Sequence, residues 1–200
     1  MKTFIKTSFA TLLTALVLTS SAFTGTAAEF IKSRSLTTTP IQGINKIWVS
    51  GNVKLVLTQA STESINGTES YDQTNTSVQS KGQTLYINST SSIQVTINIT
   101  VKDLQRIEAY GQAVVLTSNN FDVKYLQVFL NQNARAKVNA LAGSLYTVIK
   151  DNATLKMSGV AQEHTMLASN MKNVKLVDFV CLKNNKAPQV DSVKLAALTK

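Results

Sequence analysis

The sequence predicts an all-β fold in which short strands stack as a parallel β-helix-like solenoid with rungs of 19–22 residues. Three observations predict it. A short phrase recurs through the second half: VVL at 114–116, AKV at 136–138, LKM at 155–157, VKL at 174–176 and VKL at 193–195. Its spacings of 22, 19, 19 and 19 residues form a structural period. Runs of alternating apolar and polar residues fill much of the remainder, and helical periodicity is scarce. A β-rich unit of this length cannot bury its own apolar face, so successive units must cover one another.

The first element is not part of that fold. Lys2 and Lys6 open a positively charged start, an apolar stretch softened by Thr and Ser follows, and AFTGTAA ends it in small residues. Thr26 and Ala28 suit the −3 and −1 positions of signal peptidase, so residues 1–28 read as a signal peptide that is removed. The run from Phe9 to Phe23 falls short of the roughly 20 apolar residues that a membrane span needs. Residues 29–200 then form a single domain, long enough for a sizeable core. Cys181 is the only cysteine, so no internal disulfide and no lipid-anchor cysteine are expected. Stability must come from burial and backbone pairing.

Four runs in the first half read as strands with one buried face: INKIWVS (44–50), NVKLVLT (52–58), TLYIN (84–88) and IQVTINITV (93–101). Gly51, Gly67 and Gly82 punctuate them as turns. The polar segment at 61–77 is expected to be a long exposed loop. Trp48 and Phe129 are expected to pack inside, and Tyr71 and Tyr110 to stand as exposed platforms on which sugars stack.

The clearest repeats span 104–195. LQRIEAYGQAVVL (104–116), LQVFLNQNARAKV (126–138) and LYTVIKDNATLKM (145–157) superpose over thirteen residues, and HTMLASNMKNVKL (164–176) and KNNKAPQVDSVKL (183–195) follow more loosely. Leu104, Leu126 and Leu145 share the first position, where His164 follows; Ile107, Phe129, Val148 and Leu167 share the fourth. Gly111, Asn133 and Asn152 share the eighth, and Gly and Asn tolerate a left-handed corner. Met171 and Val190 break that position, so the last two corners must be built differently. Alternation turns Val114, Ala136, Leu155, Val174 and Val193 inward, and again Leu116, Val138, Met157, Leu176 and Leu195. Between them, after Val115 in the first copy, Lys137, Lys156, Lys175 and Lys194 point outward. Rungs lie about 4.8 Å apart, so these four lysines form a ladder and are the candidate ligand-binding residues. NVKLV recurs at 52–56, 61 residues before Val115, which predicts three further, degenerate rungs in between.

The order GNVKLVLTQ, TLYIN, VTINITVKDLQRIEAYGQAVV and then 19–22-residue repeats resembles the head GIN domain family, whose name carries the words auto-transporter adhesin. The resemblance covers roughly residues 40–196, and VKDLQRIEAYG (101–111) is its most specific part. It implies a single exported domain of right-handed β-helix-like coils with no established activity. Two departures stand out. The family's repeats usually carry Gly before Ala or Ser and often an acidic residue, where this chain has Asn133-Ala134 and Asn152-Ala153 with lysines after them. The chain also leaves no length for a C-terminal translocator barrel, so secretion as an auto-transporter is not expected.

Catalytic chemistry finds little to work with. The single histidine, His164, sits on a Leu position and reads as a partly buried structural imidazole. One His and one Cys do not make a zinc or copper site, and no phosphate-binding glycine loop is present. Calcium-dependent cleavage of acidic polysaccharides needs carboxylates grouped on one face. The eleven acidic residues are scattered, and Asp103 with Glu108 is the one pair to inspect. No cofactor, metal site or enzymatic activity is therefore expected.

Beyond the leader the chain carries 18 basic against 11 acidic residues, about +7, which favours anionic partners. The leading reading is a non-catalytic exported module of the envelope or extracellular space that binds or adheres, with anionic polysaccharide as its ligand and nucleic acid not expected. The alternative is a scaffolding protein of the envelope that contacts other proteins, and a polysaccharide-cleaving enzyme ranks third. Either way the location is periplasmic, cell-surface or secreted.

Overall fold

The structure, a computed structural model, describes residues 39–68 and 71–186. The signal peptide expected at 1–28, the corner expected at Val190, and Val193, Lys194 and Leu195 lie outside the described residues. Among the described residues thirteen strands form one sheet. They are β1 (Thr39–Pro40), β2 (Lys46–Gly51), β3 (Val53–Gln59), β4 (Ser64–Gly67), β5 (Thr76–Lys81), β6 (Thr84–Ser89), β7 (Val95–Val101), β8 (Arg106–Ala109), β9 (Val114–Thr117), β10 (Phe121–Leu130), β11 (Arg135–Ile149), β12 (Thr154–Ala168) and β13 (Val174–Lys186). The fold is all-β, with one 3₁₀ turn at Met171–Asn173.

The sheet curls into two tracks joined by corners. One stacks β7, β3, β9 and the first part of β11; the other stacks β6, β2, β8, β10 and the second part of β11. All of these pairs are parallel, and β12 and β13 continue both tracks. The order in space is not the order in sequence. β2 and β3 lie between β6–β7 on one side and β8–β9 on the other, so Lys54 pairs directly with Val114. The three intervening rungs expected from the NVKLV spacing do not exist. The chain leaves β3, builds β4 to β7 on the far side, and crosses back.

The repeat itself runs 21, 19 and 19 residues: Val114 pairs with Arg135, Arg135 with Thr154, and Leu155 with Val174. The first copy therefore sits one residue away from its expected register. Val115, not Val114, is the buried partner of Ala136, and Leu116 stands outward beside Lys137. Likewise Ile107 pairs with Val128, which puts Phe129 beside Glu108 on the outer face. Val114, Val115 and Leu116 are all apolar, so their alternation carries no phase; the pairing partner sets it.

Inward residues are almost all aliphatic. Ala136, Val138, Leu155 and Met157 are buried as their alternation predicts, facing Val49, Ile87 and Ile107 in one continuous core. Burying each Val, Leu or Ile contributes about 1.5–3 kcal/mol, which makes this core the main source of stability. Val174 is only half-buried and Leu176 is 44% exposed, against the inward expectation for both. Among the described residues β13 pairs on one side only, and an extra residue near Asp178, at φ 53°, breaks its register with β12.

The corners carry the sequence's least expected choice. The left-handed residues are Gly111, Gln132 and Asp151, at φ 67°, 60° and 55°, and not Asn133 or Asn152. Each corner closes through a backbone bond across four residues: the amides of Ala113, Ala134 and Ala153 donate to the carbonyls of Tyr110, Asn131 and Lys150. Neighbouring corners are then tied together. The Gly111 amide donates to Gln132 Oε1 at 2.7 Å, and the Gln132 amide donates to Asp151 Oδ2 at 2.9 Å. The three alanines that follow are fully buried. At Met171 the corner is indeed built differently, as a 3₁₀ turn in which Asn170 caps the Lys172 amide.

The polar 61–77 segment is not a plain loop. Within it β4 pairs antiparallel with β7 and with β1, and β5 begins its antiparallel pairing with β6. Gly67 lies inside β4. Tyr71 is buried, not exposed, and the hydroxyls of Thr76 and Ser89 meet at 2.9 Å beneath the surface. These short strands cover the edge that β6 and β7 would otherwise offer to another chain.

Gly51 tests the corner geometry. It holds φ +89°, and a Cβ there would overlap the Ser89 carbonyl oxygen. Gly82, also left-handed at φ +57°, has open space where a Cβ would stand. Gly51→Ala is expected to destabilise by about 3 kcal/mol or more, and Gly82→Ala by about 1–2 kcal/mol. Urea denaturation of both variants measures this, and equal losses would contradict the corner packing.

Candidate functional site

The outer surface carries several features that can hold a ligand. On the first track, Lys137 pairs with Lys156 and Lys156 with Lys175, all three exposed, one per rung. Lys194 lies outside the described residues. Val56 and Leu116 extend this column towards β3. Lys54 belongs to the neighbouring column with Val114, Arg135 and Thr154. None of Lys54, Arg135, Lys137, Lys156 and Lys175 has an ion-pair partner among the described residues. Two such charges about 5 Å apart repel by roughly 1 kcal/mol in water, a load that long flexible side chains reduce by splaying.

Beside these columns lies an open cavity of about 390 Å³ lined by Asn52, Gln94, Gln112, Val114, Asn133 and Arg135. Its amides follow directly from the corners: Asn52, Gln112 and Asn133 are the residues immediately after Gly51, Gly111 and Gln132. Amide groups both donate and accept, so the cavity can meet hydroxyl-rich ligands next to a row of cations. Sequence reasoning took Asn133 only as a backbone choice; its side chain lines this cavity.

On the second track the outer face is aromatic. Trp48 and Phe129, expected inside, are only half-buried and point outward. Trp48 lies between Tyr86 and Glu108 in the strand register, and its ring meets Tyr86 at 6.1 Å and Tyr110 at 5.5 Å. Phe129 meets Tyr146 at 5.8 Å. Arg106 lies over the Phe129 ring at 4.3 Å and pairs with Glu108 at 2.6 Å. The Tyr110 hydroxyl donates to Glu108 at 3.1 Å. Partial burial, then this carboxylate, push the Tyr110 pKa up. The alternation of β2 and β10 was legible in their apolar residues; the habit of placing large aromatics inside obscured the outer face.

His164 pairs with Leu145 in register, as its repeat position predicts, and is 1% exposed. Its Nε2 meets Thr147 Oγ1 at 3.0 Å, and its ring packs edge-on against Phe179 at 5.2 Å. Burial pushes its pKa down. Asp103 accepts a bond from Gln105, and Glu108 is engaged by Arg106 and Tyr110, so this pair makes no shared carboxylate site. Among the described residues no group of three or more His, Cys, Asp or Glu side chains is placed to hold a metal ion. No helix among them is long and apolar enough to cross a membrane.

The sequence model of the family described as "Putative auto-transporter adhesin, head GIN domain" matches residues 43–181. No curated protein matches the chain. Among solved structures it is similar to a "Putative lipid binding protein" from Parabacteroides distasonis, with a TM-score of 0.53 at 13% identity over 75% of this chain and 76% of that one. It is also similar to a "putative adhesin" from the same organism, with a TM-score of 0.53 at 15% identity over 75% of both chains. A "putative adhesin" from Parabacteroides merdae gives a TM-score of 0.50 at 12% identity over 76% of this chain and 75% of that one. At these identities the likeness is one of fold.

The buried imidazole makes stability depend on pH in a defined direction. Burial disfavours the charged form of folded His164, whereas the unfolded chain binds a proton below about pH 6.5. Its contribution is therefore complete above that pH and is lost as the pH falls below it. Urea midpoints are expected to drop from pH 7.5 to pH 5, and His164→Leu, the residue of the neighbouring rung, is expected to flatten that drop. An identical pH slope in the variant would show that another group governs it.

Proposed function

This chain belongs to the head GIN domain family, and we propose from that premise that it is an exported, non-catalytic binding or adhesion module of the cell envelope or extracellular space. Its ligand is an anionic glycan, held by Lys137, Lys156 and Lys175, with Lys194 continuing the row. In this reading residues 1–28 direct export and are removed, and the coil is a right-handed β-solenoid whose rungs run 19–22 residues. The observation that carries it is the register of the lysines: one unpaired, exposed ammonium per rung, repeated by the sheet's own spacing of about 4.8 Å. A linear row of cations complements a polymer with regular negative charge. The neighbouring amide cavity supplies donors and acceptors for its hydroxyls.

A second reading, a scaffold that contacts envelope proteins, draws on a different feature. Leu141, Val160 and Val180 share one outward column and are 47%, 39% and 56% exposed. Salt separates the two, because association through the lysines weakens as salt screens it and association through an apolar row does not.

Lys156→Glu combined with Lys175→Glu is expected to reduce affinity for heparin and lipopolysaccharide roughly tenfold or more at low salt, and to flatten the dependence on salt. Circular dichroism checks that the fold is retained. Retention on heparin and lipopolysaccharide columns unchanged by the charge reversal would remove the lysines from the proposal.

A further inference from the structure

We propose that the outer face of β6, β2 and β8 is a second binding site, specific for the ring of a neutral sugar, with Trp48 and Tyr86 as the stacking floor and Glu108 with Arg106 as the hydrogen-bonding wall. It stands on residues separate from the lysine row and does not depend on it.

The first observation is where the aromatics lie. The core is built from aliphatic side chains, with Phe121 and Tyr71 as its aromatic members. The chain's single tryptophan, Trp48, instead gathers with Tyr86, Tyr110, Phe129 and Tyr146 on the outer face of one track. Tyr86 is 40% exposed and Trp48 half-buried. Aromatic area left in water on a face the core does not need is area available to a ligand.

The second observation is shape. The Trp48 ring is tilted 44° from Tyr86 and 35° from Tyr110. Over the tilted Trp48 and Tyr86 rings sits a cavity of about 250 Å³, which Lys46, Ile47, Thr84, Arg106 and Glu108 also line. An apolar floor with a few fixed polar groups is the usual make-up of a small-molecule site.

The third observation is that the polar wall is ordered before any ligand arrives. Arg106 is held between the Phe129 face and the Glu108 carboxylate, and it also donates to Gln127 at 3.4 Å. Glu108 is fixed from its other side by the Tyr110 hydroxyl. Side chains already held in place lose little entropy on binding. The chemistry then selects the ligand. A lipid tail would bury the Arg106–Glu108 pair and leave it without water, which is costly. An anion would meet the Glu108 carboxylate. A pyranose ring presents an apolar C–H face to the aromatic floor, while its rim hydroxyls both donate to Glu108 and accept from Arg106.

Trp48 is the only tryptophan, so intrinsic fluorescence reports on the site directly. The full chain is tested by affinity electrophoresis and Trp emission against dextran, laminarin, xylan and galactomannan, with phosphatidylcholine vesicles alongside. At least one of the four polysaccharides is expected to retard the protein and change its Trp emission, with little dependence on salt. Tyr86→Ala, which leaves the reporter in place, and Glu108→Gln are each expected to weaken that binding roughly tenfold. Lys156→Glu with Lys175→Glu is expected to leave it unchanged, so loss of heparin binding and loss of this site are read separately. No response to any of the four polysaccharides, full binding by both Tyr86→Ala and Glu108→Gln, or a Trp response to the vesicles alone overturns the proposal.

Discussion

The corners at Gly111, Gln132 and Asp151 fall at one place on successive rungs, and the first two are held from the rung that follows. The side chain of Gln132 accepts the Gly111 amide, and that of Asp151 accepts the Gln132 amide. A left-handed backbone costs a residue with a side chain roughly 1–2 kcal/mol. A bond to a charged acceptor contributes about 1.5–3 kcal/mol, and a neutral one about 0.5–1.5 kcal/mol. Gln132 and Asp151 thus offset their own strain by tying down the corner next to them. The same link sets register, because the corner residue of one rung can reach only its counterpart. A slip of one residue would turn every apolar side chain to water.

With register fixed at the corners, inner and outer faces become independent. The inner face is filled by Val, Ile, Leu and Ala in continuous contact, and it leaves little freedom. The outer positions are free to vary, yet each choice is repeated at the sheet spacing. That is how single exposed lysines become a row, and how Trp48, Tyr86 and Glu108 come to share one column although 38 and 60 residues separate their paired strands. Both surfaces therefore derive from one constraint. They differ only in which residues stand beside it.

What could be read from the sequence follows the same division. Where copies adjoin in sequence and carry distinct polar marks, the reading holds: Lys137, Lys156 and Lys175 align, Ala136 and Met157 face inward, and His164 replaces a buried Leu. It fails where pattern carries no phase. VVL offers three apolar residues in a row, so its register waits for the Arg135 pairing. The passage of the chain from β7 back across β2–β3 leaves no mark in local periodicity, because both neighbours of β3 are ordinary alternating strands. The corners misled for a different reason. Intrinsic preference points to Asn133 and Asn152, but the left-handed residue is one place earlier in both, and at Gln132 a bond to the next rung holds it there. Trp48 was misplaced because its neighbours Ile47 and Val49 take the interior, leaving the large ring outside.

The two sides of the sheet are also protected by different means. At β6 and β7 the edges are covered by antiparallel β4 and β5, short and rich in Ser and Thr. At β13 the outward Val180 and Leu182 are exposed beside Lys175 and Lys183. Among the described residues β13 pairs on one side only. A strand added to its other side in parallel register, with a lysine in this column, would set that charge about 5 Å from Lys175, where like charges repel. Repeated at the sheet spacing, these cations oppose extension of the sheet by another copy. That resistance to self-pairing is electrostatic, so salt must weaken it.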